Sequence, residues 1–185
     1  MLEVEVRYRT PDRAAVVDRL TALGAERVEE RSEADLYFEA PDRDLKARDE
    51  ALRLRRSGPR NVLTFKGPRR DAGTKTRPEV EVPLADGAEV AAAAERLLGS
   101  LGYRPLATVR KRREVYRLVR DGFRLEVCFD EVERVGSFVE LEVVVAEELC
   151  GPAQAVLLRT AAELGLTDAE TRSYLALVLQ ASAGS

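Results

Sequence analysis

The 185-residue chain has no histidine and no tryptophan, one methionine and two cysteines. Lack of histidine removes the commonest general base, the Ser/His/Asp arrangement and every histidine-based metal site. Much of enzymology is excluded at once. Cys128 and Cys150 form no CxxC pair, and buried thiols in a reducing compartment explain them more simply than zinc or a disulfide. Long apolar runs are missing too. Charges begin at Glu3, so no signal-like stretch opens the chain, and no segment nears the roughly 20 apolar residues that span a bilayer. A cytoplasmic location without a membrane partner is expected. Thirty Lys and Arg against 33 Asp and Glu leave a net charge of only -3, which gives no whole-molecule attraction to nucleic acid. Five Tyr and five Phe provide no stacking platform among the basic stretches.

What the chain has in excess is charge of both signs. Charged residues make up 34% of it, above the usual quarter, in a length suited to a single domain over residues 1–185. The excess is patterned. In EVEVRYR, Glu3, Glu5, Arg7 and Arg9 alternate with Val4, Val6 and Tyr8, so a strand here carries one wholly charged face. Taken alone, this fits a solvated edge strand better. The alternation returns, however, in ALRLRRS, VLTFKGP, TRPEVEVP, TVRKRREVYRL, FRLEVCFDEV and SFVELEVVVAE.

Helices interrupt these strands. Thr10, Pro11 and Asp12 predict a helix start with Pro at the first helical position, an apolar stripe of Val16, Val17, Leu20 and Leu23, and a stop at Gly24. Asp86 with Glu89 predicts a capping box for a second helix, with Val90, Ala94, Leu97 and Leu101 facing inward and Gly102 ending it. Pro152 opens a third helix that ends at Gly165, and Thr167 with Glu170 caps a fourth carrying Arg172 and Tyr174, a helical tail over about residues 152–182. A strand over about 27–39, a charged loop over 68–76 and a DG turn at Asp121 and Gly122 complete the outline. The expected architecture is α+β: about eight antiparallel strands closed into a barrel or tunnel, with helices on the apolar outside and charges on the inside.

The lining would then hold Glu3, Glu5, Glu79, Glu81, Glu126, Asp130, Glu140 and Glu142. Facing them would be Arg7, Arg9, Arg53, Arg55, Lys66, Arg77, Lys111, Arg113 and Arg124, with Cys128 as a small filler and Arg172 reaching in from the tail. So many enclosed charges are costly unless they pair with each other or with a ligand and its ions. Cationic forks suit phosphate oxygens, and carboxylates without His suit Mg²⁺ or Mn²⁺. The inventory points to metal-assisted transfer at phosphorus.

These segments, with DLYF, LGYRPLATVRKRREVY, FDEVERVGSFVELEV and TRSYLALVL, resemble the CYTH superfamily of triphosphate tunnel metalloenzymes, in particular its class IV adenylyl cyclase branch. EVEVRYR resembles the family's ExExK signature, with Arg7 in place of the usual Lys. The resemblance implies that Glu3, Glu5, Glu140, Glu142 and Asp130 bind the metal and that Arg7, Arg9, Arg53, Arg55, Lys66, Arg77, Lys111, Arg113 and Arg172 hold the triphosphate. It also implies that Asp130, Arg7 and Lys111 stand at the reacting phosphate, with Glu79 and Glu81 in support. The implied substrate is ATP, cyclised to cyclic AMP and pyrophosphate by a monomer or homodimer that binds no nucleic acid. Hydrolysis of inorganic or thiamine triphosphate to orthophosphate is the alternative, and non-catalytic binding of triphosphate or polyphosphate a third reading.

Overall fold

The computed structural model describes residues 2–10, 12–70 and 75–183. Pro11, and the middle of the loop predicted over 68–76, lie outside them. The strands are β1 (Leu2–Arg9), β2 (Glu26–Glu39), β3 (Ala51–Ser57), β4 (Arg60–Lys66), β5 (Glu79–Leu84), β6 (Arg104–Arg120), β7 (Phe123–Val132) and β8 (Gly136–Val145). The helices are α1 (Arg13–Ala22), α2 (Ala88–Ser100), α3 (Cys150–Glu163) and α4 (Tyr174–Ala183). All eight strands form one antiparallel sheet in the order β1-β8-β7-β6-β2-β3-β4-β5. The fold is the expected α+β, with the sheet curled into a half-barrel.

Closure is narrower than a full barrel. Between the edges β1 and β5 the described ladder is one isolated bridge, Glu3 with Arg77, where the Arg77 N–H donates to the Glu3 carbonyl at 3.3 Å and the Lys75 N–H to the Glu5 carbonyl at 2.9 Å. The strand β5 is only six residues long and contains Pro83, which lacks the N–H a continuous ladder needs. Its outward Val80 and Val82 are 59% and 47% exposed, so the helical cover expected over every apolar strand face stops short of this edge.

The apolar outer faces of β1, β7 and β8 are covered. Val4, Val6, Leu125, Val127, Leu141 and Val143 pack under Val16 and Leu20 of α1 and Val156 and Leu157 of α3. A truncation at the centre, Leu157→Ala, should cost about 2–5 kcal/mol, read from the urea midpoint at unchanged m. Asp12 caps α1 by accepting from the Ala15 N–H, and Asp121 and Gly122 take the positive φ of 50° and 82° that a two-residue hairpin turn requires.

Four helix expectations need correction. The second helix starts at Gly87 without a side-chain cap, so Asp86 and Glu89 form no capping box. Its buried residues are Ala91 and Leu98, whereas Leu97 and Leu101 are about 60% exposed, because the face is set by contact with Leu54 and Phe38 and not by the largest apolar side chains. The last helix begins at Tyr174, where Ser173 Oγ accepts from the Ala176 N–H; Glu170 and Arg172 precede it. Nor does α4 lie outside. Its Tyr174 and Leu177 pack on Tyr37, Val109 and Phe138, which share strand faces with Asp35, Lys111 and Glu140. The tail therefore plugs one end of the charged channel.

Candidate active site

The inner face encloses a cavity of about 290 Å³, lined by Glu3, Glu5, Arg7, Arg53, Arg55, Lys66, Arg77, Glu79, Glu81, Lys111, Arg113, Glu140 and Glu142 from the sequence-derived set. All but Arg77, which precedes β5 and bridges to Glu3, sit there by the two-residue period of their strands. Arg9, Asp130 and Arg172 do not line it. Arg9 pairs with Glu170 at 3.0 Å. The Arg172 guanidinium also turns to Glu170 and to Gln180, while its carbonyl accepts from Arg7 Nη1 at 2.9 Å. Asp130 is buried behind the wall, accepting from Arg113 Nε at 2.7 Å and from the Tyr174 hydroxyl at 2.8 Å, with Lys111 Nζ at 3.4 Å. Arg124 and Glu126 lie away from the cavity, and Glu126 pairs with Arg117.

Two zones divide the cavity. At the plugged end the charges satisfy one another. Glu140 lies between Arg7 and Arg113, and Arg7 also donates to Glu5 at 2.9 Å and stacks its guanidinium 3.6 Å from the Tyr174 ring centroid. Burial alone would raise the Glu140 carboxyl, yet Arg7, Arg113 and Lys111 outweigh it and hold Glu140 well below the usual carboxylate range. Arg55 forks onto Asp35 at 2.7 and 2.8 Å, and Lys111 bridges Glu33 and Asp130 at 3.3 and 3.4 Å.

Toward the β1–β5 seam the balance changes. Carboxylate oxygens of Glu3, Glu5 and Glu142 lie within 4.8 Å of one another. Burial pushes Glu3 up, and pushes Glu142 up to about 8 with further help from Glu3, Glu140 and Glu5 against Arg113. Burial and Glu140 also act upward on Glu5, but Lys75, Arg7 and Lys66 prevail and hold it below its ordinary value. An all-oxygen trio under mutual repulsion suits a hard divalent cation, so this structure can hold one on Glu3, Glu5 and Glu142. Glu140, also expected among the ligands, lies between the Arg7 and Arg113 guanidiniums. Beside the trio, Lys66 Nζ lies 4.0 Å from Glu3 and pairs with Glu79, and Arg53 Nε is buried with no hydrogen-bond partner among the described residues. An unused donor aimed from a channel wall suits an incoming anion.

Arg31, Asp35, Tyr37 and Lys75 also line the cavity and escaped the sequence reading. Arg31, Asp35 and Tyr37 repeat the two-residue period on β2 and were legible in RSEADLYF, as was Glu33 beside Lys111. Lys75, 3.0 Å from Glu5, comes from a loop without periodicity, so no pattern could place it.

Fold and site together define a class: an antiparallel channel whose charged lining interleaves carboxylates with guanidiniums and ammoniums. Residues 1–174 match the CYTH domain, and the chain belongs to the CYTH family. It is 34% identical to adenylate cyclase CyaB of Aeromonas hydrophila over 184 residues, 96% of this chain and 89% of that one. A Methanocaldococcus jannaschii protein whose name assigns it provisionally to the adenylate cyclases is 35% identical over 142 residues, 77% of each chain. A solved Pyrococcus horikoshii protein superposes with a TM-score of 0.84 at 33% identity, covering 96% of this chain and 98% of its own. No described helix is long and apolar enough to cross a membrane.

Proposed function

We propose that the protein is a divalent-metal-dependent enzyme of triphosphate chemistry that converts ATP to cyclic AMP and pyrophosphate. The carrying observation is that the trio Glu3, Glu5 and Glu142 shares one cavity with Arg53, Lys66 and Arg77. In this reading the cations hold the phosphate chain, with the free Arg53 Nε donating to a phosphate oxygen. Lys111 and Arg113, fixed by Asp130, keep the positive field in place as charge builds on the leaving pyrophosphate. Arg7, locked by Glu5, Glu140 and Tyr174, positions the carboxylates and substitutes for the signature lysine in charge but not in freedom. A bound Mg²⁺ or Mn²⁺ would neutralise phosphate charge and favour attack of the ribose 3′-hydroxyl on the α-phosphorus.

Cyclisation is favoured over hydrolysis by room for a nucleoside. A second cavity of about 430 Å³ shares Lys66, Lys75 and Arg77 with the first and adds Phe38, Leu45, Leu106 and Leu175. Hydrolysis is the second reading, because the uncharged side chains lining the first cavity are few: Tyr37, Val144, Ser173 and Tyr174. The test is to incubate the protein with ATP, tripolyphosphate and thiamine triphosphate, each with Mg²⁺ or Mn²⁺, and identify the products. Cyclic AMP with pyrophosphate is expected from ATP. Orthophosphate without cyclic AMP establishes the second reading, and binding without turnover removes both.

A further inference from the structure

The trio is one half of a longer row. In the pairing register Glu142 of β8 stands directly across from Glu5 of β1 on one side and from Glu126 of β7 on the other. Like charges directly opposite on neighbouring strands repel. Arg113 Nη1 reaches Glu142 only at 3.9 Å, beyond hydrogen-bond range. A second donor set also meets at Glu142: the ligand atoms of Glu126, Cys128 and Glu142 lie within 4.8 Å of one another. Cys128 is fully buried, carries a free thiol, and its Sγ makes no hydrogen bond with any described residue. A fully buried thiol without a hydrogen-bond partner thus stands within reach of two carboxylates, of which Glu126 is also paired with Arg117 at 3.2 Å and Glu142 has no close cation.

We propose that Glu126, Cys128 and Glu142 form a second cation site, selective for a thiophilic divalent ion such as Zn²⁺. Mixed sulfur and oxygen donors suit zinc and discriminate against Mg²⁺, which prefers oxygen and water. With Zn–S near 2.3 Å and Zn–O near 2.1 Å, ligand atoms of tetrahedral zinc stand about 3.6 Å apart. Side-chain rotation of roughly 1 Å therefore closes the set. As the ion binds, the Cys128 thiol proton leaves to water and the sulfur becomes a thiolate ligand. Water completes the coordination. Glu142 belongs to both donor sets, so an ion held by Cys128 draws that carboxylate away from Glu3 and Glu5. If those residues hold the working cation, which is the reading given above, Zn²⁺ at Cys128 excludes it and inhibits.

The binding claim is tested without turnover. Full-length protein stripped with chelator is titrated with Co²⁺, a spectroscopic substitute for zinc. A thiolate-to-cobalt charge-transfer band in the near ultraviolet is expected at one equivalent, bleached by Zn²⁺ and untouched by excess Na⁺. The band should persist in Cys150→Ser and vanish in Cys128→Ser, whose fold is checked by circular dichroism. In competition with a chromophoric chelator, Cys128→Ser and Glu126→Gln should each bind Zn²⁺ at least about tenfold more weakly, a loss of about 1.4 kcal/mol. Glu126→Gln reads the site even if Cys128→Ser does not fold. No band, a band that survives Cys128→Ser, or zinc affinity unchanged in Glu126→Gln overturns the proposal, whatever reaction the protein catalyses.

Discussion

Glu140→Gln should lower turnover by about 10²–10³-fold and also lower the melting temperature, whereas Glu142→Gln, two residues along the same strand, should lower turnover alone. Glu140 is buried between Arg7 and Arg113, each of which needs its negative charge. An amide of the same shape offers its oxygen to one guanidinium and turns its NH₂ toward the other, donor against donor. Removing one partner of a buried ion pair costs about 3–5 kcal/mol, a loss of about 6–20 °C for a chain of this size. Glu142 is the opposite case. Burial and its acidic neighbours push its carboxyl up to about 8, so near neutral pH the metal-free fold already favours the uncharged form that Gln imitates. Thermal melts and product assays on the two variants separate the roles. Equal destabilisation by both would show that Glu140 is not the counter-charge holding the two guanidiniums.

That contrast marks where sequence stops being informative. Alternation in EVEVRYR and VELEV places Glu3, Glu5, Glu140 and Glu142 on one inner face, because a strand has only two faces and the apolar one must be covered. It cannot distinguish Glu140 from Glu142, since the difference lies in which strands stand opposite and what they carry at that height. Cross-strand register, with Arg7 opposite Glu140 and Glu5 opposite Glu142, decides that one carboxylate is neutralised and the other is not. The same logic explains Asp130. Its period is right, but pairing with Arg113 across the β6–β7 ladder and the Tyr174 hydroxyl draw it behind the wall. Helix faces were less legible for a different reason. The alanine-rich α2 presents several equivalent stripes, and contact with the sheet chose the one through Ala91 and Leu98. Cys128 shows the same limit: its nearness to Glu126 on its own strand and Glu142 on the next depends on cross-strand register, which cysteine spacing does not reveal.

The carboxylate row should also give the metal-free protein an unusual pH dependence. A carboxyl whose folded pKa is raised contributes stability that is fully present below its unfolded pKa, here 4.5, and lost as pH rises through its folded value of about 8. Glu3 shifts in the same direction through burial, so the proton belongs to the acidic cluster as a unit. Each pH unit across the window is worth about 1.36 kcal/mol. Raising the pH from 6 to 8 should therefore remove about 2 kcal/mol, or about 4–8 °C of melting temperature. The chain has no histidine, so that residue, which ordinarily dominates this interval, contributes nothing. Saturating Mg²⁺ or Mn²⁺ should abolish the slope, because the cation binds the deprotonated carboxylates and displaces the proton. Glu142→Gln should flatten it without any metal. Apparent metal affinity should in turn rise close to tenfold per pH unit up to about 8 and then level off, and calorimetry at pH 7 in buffers of different ionisation enthalpy should count about one proton released per ion bound. A melting temperature that stays flat from pH 6 to 8 in the stripped protein, or metal binding that releases no proton, would mean that Glu142 is already ionised in the fold and that the trio is not poised for a cation.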